Sequence, residues 1–166
     1  MLPDATLEEA AALLAALQAR RLTIATAESC TGGLIAAALT AIPGSSMSVL
    51  AGFVTYSNAA KAGMLAVPAA TIAREGAVSE AVVRAMAAGA LLASGADIAL
   101  ACTGVAGPGG GSTEKPVGLV WMAAAWRGGT ALVNQRIFPG DRSAIRAETV
   151  RTCFGMAHSL LAGHTL

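Results

Sequence analysis

Thr26-Ala27-Glu28-Ser29-Cys30-Thr31-Gly32-Gly33 lies between two apolar runs, Leu22 to Ala25 before it and Leu34 to Leu39 after it. A run of strand length, then small polar residues and two glycines, then an Ala/Leu-rich segment, predicts strand–turn–helix. Such a turn puts hydroxyls, a thiol and free backbone N–H groups at a helix N-terminus. That end carries partial positive charge and unpaired donors, so it suits an anion or a developing oxyanion.

Working outward, Thr6 to Arg20 has apolar positions at Leu7, Ala10, Leu14 and Leu17, with Thr6 and Glu9 spaced as a capping box, and reads as an amphipathic helix. Thr23 to Ala27 is a buried strand, and Thr31 to Ala41 a helix ended by Pro43-Gly44. Val49 to Tyr56 is a strand, after which Ser57-Asn58 caps a short helix through Lys61 to Leu65. Ser79 caps a longer helix to Ser94, with Gly95 just past its end. Asp97 to Thr103 is a short apolar strand, followed by the glycine-rich loop Gly104 to Lys115. Gly118 to Trp126 and Thr130 to Phe138 flank Arg127-Gly128-Gly129, a hairpin signal, and Asp141 caps a last helix to about Leu161. Strands interleaved with helices and then a hairpin predict an α/β domain, a three-layer α/β/α sandwich with a mixed sheet. Ligands in such sheets sit beyond the C-terminal ends of strands, where Glu28 to Gly33 and Thr103 to Lys115 fall.

With 166 residues and no linker or internal repeat, the chain reads as one domain over 1–166. It is 55% hydrophobic and only 13% charged, with alanine making up much of the apolar excess. Ser29 to Ala60 holds no charged residue, but glycines, serines and Pro43 keep every apolar run shorter than the ~20 residues of a membrane span. The start, Met1 to Glu9, is acidic without a basic residue, unlike a signal or transit peptide, so the expected compartment is the cytoplasm. A net charge of +1 and six aromatic residues give little support to nucleic-acid binding. Cys30, Cys102 and Cys153 fit neither a disulfide framework nor a zinc site, and no metal or cofactor is expected. The apolar composition points to a buried subunit interface and a homo-oligomer, most simply a dimer.

His158 and His164 are the only histidines, both in or after the last helix, and neither adjoins a suggestive motif. The two lysines are more telling. Lys61 stands in a charge-free neighbourhood and Lys115 closes the glycine-rich loop. A lysine desolvated among apolar neighbours sheds its proton where arginine does not, so Lys61 is a candidate base for a serine nucleophile. The plainer alternative is a snorkelling surface lysine. Ser29 and Cys30 compete as nucleophile, and because neighbours at a strand end point opposite ways, one of them faces the site. Tyr56 is placed to relay a proton or to orient the lysine. The glycines from Gly104 to Gly111, with Lys115, form a phosphate-binding candidate that matches neither the Walker nor the dinucleotide pattern. Arg142 and Arg146, four apart on the last helix, form a potential clamp for an acidic group or simply a solvated face.

Taken together, Thr26 to Gly33, Pro43-Gly44-Ser45-Ser46, Gly52 to Lys61, Gly76-Ala77-Val78-Ser79-Glu80, Thr103 to Gly110 and Lys115-Pro116-Val117-Gly118 resemble the motifs of the CinA C-terminal domain family, in the family's order. The resemblance covers about Leu7 to Leu161. The family includes stand-alone nicotinamide-nucleotide amidohydrolases of the PncC type, which convert nicotinamide mononucleotide to nicotinate mononucleotide and ammonia in pyridine-nucleotide recycling. It therefore implies an α/β/α fold and a metal-independent serine–lysine amidase, with Ser29 as nucleophile, Lys61 as its base and Tyr56 assisting. Substrate contacts are then expected from Glu28, Cys30, Thr31, Gly32 and Gly33 in the turn, from Thr103, Gly104, Gly107, Gly109, Gly110 and Lys115 in the loop, and from Arg142. Longer family members carry an additional N-terminal domain with pyrophosphatase activity, which is not expected of this chain. The rival expectation is a non-catalytic nucleotide-binding or protein-interaction module linked to competence or DNA-damage responses.

Overall fold

The computed structural model describes residues 3–163. The elements are α1 (Asp4–Ala19), β1 (Ile24–Glu28), α2 (Leu34–Thr40), β2 (Val49–Val54), α3 (Asn58–Leu65), α4 (Ala69–Glu75), α5 (Glu80–Ser94), β3 (Ile98–Gly104), β4 (Leu119–Trp126), β5 (Ala131–Ile137) and α6 (Arg142–Ala162). The sheet order is β2-β1-β3-β4-β5. β1 pairs in parallel with β2 and β3, while β3–β4 and β4–β5 are antiparallel. The sheet is therefore mixed, as expected, with helices on both faces.

The pleat sorts side chains by size. Ile98, Leu100 and Cys102 of β3, with Val120, Met122, Ala124 and Trp126 of β4, face the core shared with α1, α2 and α6. The residues between them, Ala99, Ala101, Ala123 and Ala125, face the core shared with α3, α4 and α5. Alanine on that face lets α5 lie close to the sheet through Val82, Val83, Met86 and Ala87.

The caps read from sequence at three helices are present. Ser57 Oγ accepts from Ala60 N at 3.0 Å, Ser79 Oγ from Val82 N at 3.3 Å and Asp141 Oδ1 from Ala144 N at 2.9 Å. Gly95 ends α5 at φ +70°. The Thr6–Glu9 capping box is corrected. The carbonyl of Pro3 accepts from Thr6 N and Leu7 N, so α1 begins before Thr6, which is buried, and Glu9 instead meets Arg151 at 2.9 Å. α2 begins at Leu34 rather than Thr31, because Gly32 and Gly33 take φ of +61° and +98°, outside the helical region. β2 stops at Val54, leaving Tyr56 beyond the strand. α4 had no assignment from sequence, although Pro68 immediately precedes its first residue.

α3 is held against α5 at one point of close backbone approach. A Cβ on Gly89 would lie 2.0 Å from the Leu65 carbonyl oxygen. Gly89→Ala is expected to push the end of α3 away and destabilise the fold by ~1–3 kcal/mol, the usual range for overpacking. Gly63→Ala, on α3 itself, would meet nothing within 4 Å. It is expected to be neutral or stabilising by up to ~1 kcal/mol through helix propensity. Urea denaturation of both variants checks the contrast.

Candidate active site

The site begins where β1 ends. Glu28, its last residue, is buried, and its carboxylate accepts four hydrogen bonds. Oε2 accepts from Thr31 Oγ1 at 2.6 Å, Gly33 N at 3.1 Å and Ile35 N at 3.0 Å, and Oε1 from Ala36 N at 2.9 Å. Gly33 offers no side chain to cap α2, so Glu28 supplies the acceptors from five to eight residues away. The N-terminal donors of α2 are therefore already engaged, and the Glu28 side chain, expected to contact substrate, is turned inward as the cap of α2.

The turn that follows is tied at both ends. Ser29 N donates to Cys102 O at 3.1 Å, and Gly32 N to Ser29 O at 3.0 Å. Arg146 Nη2 reaches from α6 to the Thr31 carbonyl at 2.7 Å. Among the described residues, the N–H groups of Cys30 and Thr31 donate to no protein acceptor. They are the donors left over beside Ser29.

Adjacent side chains leave the end of β1 on opposite faces. Glu28 turns toward α2, and Cys30 packs into the core beneath α1, α2 and α6. Ser29 turns toward α3, where Lys61 Nζ donates to Ser29 Oγ at 3.0 Å and to Thr55 O at 2.8 Å. Of the two competing nucleophile candidates, only Ser29 meets the lysine. Lys61 is 1% exposed, so the snorkelling alternative does not hold. Burial pushes its amine below the 10.5 of an ordinary lysine.

The three cysteines, far apart in sequence, line the core behind this turn. A hydrogen bond with Cys30, together with burial, raises the Cys102 thiol well above its ordinary range. Cys102 Sγ also lies 3.1 Å from Thr31 Oγ1. Burial raises Cys153 in the same way. Such thiols stay protonated and behave as small apolar groups. Among the described residues, no cluster of His, Cys, Asp and Glu side chains could hold a metal ion, and no helix is long and apolar enough to cross a membrane.

A second group lies at the start of α6. Arg142 Nη2 donates to Tyr56 Oη and Nη1 to Gly107 O, both at 2.8 Å. Tyr56 is exposed and bound to Arg142, not to Ser29 or Lys61. Thr103 is buried and donates to Ala77 O at 2.8 Å, and Gly104 is pressed against Leu119. Gly109 and Gly110 are exposed with open space around them. Lys115 Nζ donates to Glu75 O at 2.7 Å and lines a cavity of about 620 Å³ with Arg84 and Trp121, which Ser29 does not line. His158 lies on α6, and His164 falls outside the described residues. Sequence reading missed the capping role of Glu28, the Arg146 bond and the Thr55 carbonyl. The signal for the first was a lone acid ahead of a helix whose own cap position is glycine.

The sequence profile of the CinA C-terminal domain matches residues 6–161. A CinA-like protein of Akkermansia muciniphila is 54% identical over 142 residues, 86% of this chain and 34% of that protein, so the chain spans about a third of that relative's length. The nicotinamide-nucleotide amidohydrolase PncC of Escherichia coli is 54% identical over 133 residues, 80% of this chain and 81% of that protein. The crystal structure of the competence/damage inducible protein CihA from Agrobacterium tumefaciens superposes with a TM-score of 0.93 at 48% identity, covering 96% of this chain and 98% of that one.

The buried amine has a consequence for stability. An amine whose pKa is lowered by folding binds fewer protons in the native than in the unfolded chain between its two pKa values. The Lys61 contribution is therefore least favourable at pH below the native pKa, and native stability gains as pH rises through that window toward 10.5. Lys61→Met removes the titration. The stability difference between Lys61→Met and the parent is expected to shift in the parent's favour in urea midpoints as pH rises toward 10.5; a difference that stays constant up to that pH would contradict the assignment.

Proposed function

The chain belongs to the CinA C-terminal domain family, and from that premise we propose that it hydrolyses the carboxamide of nicotinamide mononucleotide to nicotinate mononucleotide and ammonia. The amidohydrolase name of the Escherichia coli relative, which this chain matches over most of both lengths, supports the substrate. The observation that carries the mechanism is the buried contact of 3.0 Å between Ser29 Oγ and Lys61 Nζ.

With its proton lost, Lys61 accepts the hydroxyl proton of Ser29 as Oγ attacks the carboxamide carbon. The carbonyl oxygen gains negative charge, and the free N–H groups of Cys30 and Thr31 stabilise it. Lys61, now an ammonium, returns the proton to the amide nitrogen, and ammonia leaves with formation of a nicotinyl ester on Ser29. Water, deprotonated by the same amine, attacks the ester; nicotinate mononucleotide departs and Ser29 recovers its proton. The Thr55 carbonyl holds the amine in line throughout. The substrate phosphate meets Arg142, a reading supported by the reach of its guanidinium to Tyr56 and to the Gly107 carbonyl of the glycine-rich loop. The single domain acts in the cytoplasm without metal or cofactor and binds no nucleic acid. It works as a homo-oligomer, most simply a dimer, a reading supported by the exposed apolar residues Met47, Leu50 and Val54 on and beside edge strand β2.

Ammonia release from nicotinamide mononucleotide, with a chelator present, tests the reading. Ser29→Ala and Lys61→Arg are each expected to lower kcat by at least ~10³-fold, since the first removes the nucleophile and the second cannot act as a base at neutral pH. Cys30→Ala is expected to keep most of the activity. Binding of the nucleotide without turnover would instead support the competence-linked binding module, and selective loss in Cys30→Ala a cysteine hydrolase.

A further inference from the structure

Glu28 does not touch the substrate in this mechanism, yet more hydrogen bonds converge on its side chain than on Ser29 or Lys61. Four donors from Thr31, Gly33, Ile35 and Ala36 meet on two oxygens, with Glu28 1% exposed. Two consequences follow from this geometry. First, the carboxylate occupies the donors of the first turn of α2, leaving no competing anion site at Gly33, Ile35 or Ala36. Second, it fixes Thr31. The hydroxyl of Thr31 is held by Glu28 at 2.6 Å and its carbonyl by Arg146 at 2.7 Å, from opposite elements, while its N–H has no protein acceptor among the described residues. Thr31 is therefore held at its side chain and at the peptide that follows it, which restricts the direction of the N–H in the peptide that precedes it.

Resting on the amidase reading above, we propose that Glu28 is the positioning residue of the oxyanion site, aiming the N–H group of Thr31 through its bond to the Thr31 hydroxyl. An oxyanion donor contributes only if it is preorganised toward the oxygen that gains charge. Loosening the clamp therefore lowers turnover more than substrate affinity, because the ground-state carbonyl demands less of that donor than the tetrahedral intermediate does.

Thr31→Val removes the clamped hydroxyl at nearly constant volume in a fully buried position, Thr31→Ser restores it, and Glu28→Gln replaces one accepting oxygen with a donor facing a donor. Kinetics with nicotinamide mononucleotide are expected to show kcat reduced ~10- to 100-fold in Thr31→Val, part of the ~10²–10³-fold that outright loss of an oxyanion donor costs, with KM within about 2-fold and Thr31→Ser close to the parent. Acylation of Ser29 by p-nitrophenyl acetate, followed by the release of nitrophenolate and by mass, is expected to slow in the same order. Phenylboronic acid, whose serine adduct places an oxygen at the oxyanion position, is expected to bind less tightly in that order too. If Glu28→Gln does not fold, the Thr31 pair decides the matter. Parent-like kcat in Thr31→Val, or a loss confined to KM, overturns the proposal. If the parent acylates with the ester but leaves the nucleotide intact, the amidase reading falls, while the ester and boronate series still decides the role of Glu28. If Ser29 reacts with neither, both fall.

Discussion

Lys61 carries an amine into a place where 1% of the residue meets solvent, with two acceptors, Ser29 Oγ and Thr55 O, to replace lost hydration. Among the described residues no carboxylate forms an ion pair with it. Burial disfavours the ammonium and lowers the amine's pKa from the ordinary lysine value. Much of the local architecture serves to keep it there. The helix that bears it is capped by Ser57, ends in the left-handed Ala66 and is seated on Gly89 of α5, where no larger residue fits against the Leu65 carbonyl. The alanine face of β3 and β4 brings α5 close enough to form that seat.

The period-2 geometry of β1 divides structural work from chemistry. Glu28 and Cys30 turn to the α2 side, one as a cap and the other as core, while Ser29 between them turns to the lysine. A slip of one residue would exchange these roles, exposing a thiol to the amine and burying a hydroxyl in the core. Register is held on both sides of β1, through Glu28 opposite Val54 on β2 and Cys102 on β3. The cores on the two faces of the sheet thus meet at a turn whose every hydrogen bond is set by one face or the other.

Much of the fold was legible in the chain. Strand-length apolar runs, the caps at Ser57, Ser79 and Asp141, and the Arg127-Gly128-Gly129 hairpin each act over a few residues, and each appeared where the pattern put it. The failures were of one kind. The Thr6–Glu9 pattern was locally sound, but burial of Thr6 and the pull of Arg151 on Glu9 prevailed. The helix expected from Thr31 begins at Leu34 because two left-handed glycines and a distant carboxylate define its start. The tie between Lys115 and the Glu75 carbonyl, 40 residues earlier in the chain, had no local signal either.

The sequence by itself determined the alternation of strand and helix, the charge-free surroundings of Lys61 and the motifs that place the chain in its family, because periodicity, capping and composition are properties of neighbours along the chain. Only the tertiary structure turned Ser29 rather than Cys30 toward Lys61, made Glu28 the internal cap of α2, and joined Arg142 to Tyr56 and Arg146 to Thr31. Each of those outcomes depends on which groups from separate elements come within about 3 Å of one another in a site with little water, where a single buried donor or acceptor must be matched or left at a cost of ~1–3 kcal/mol. That matching is set by how helices and sheet pack, and no local pattern encodes it.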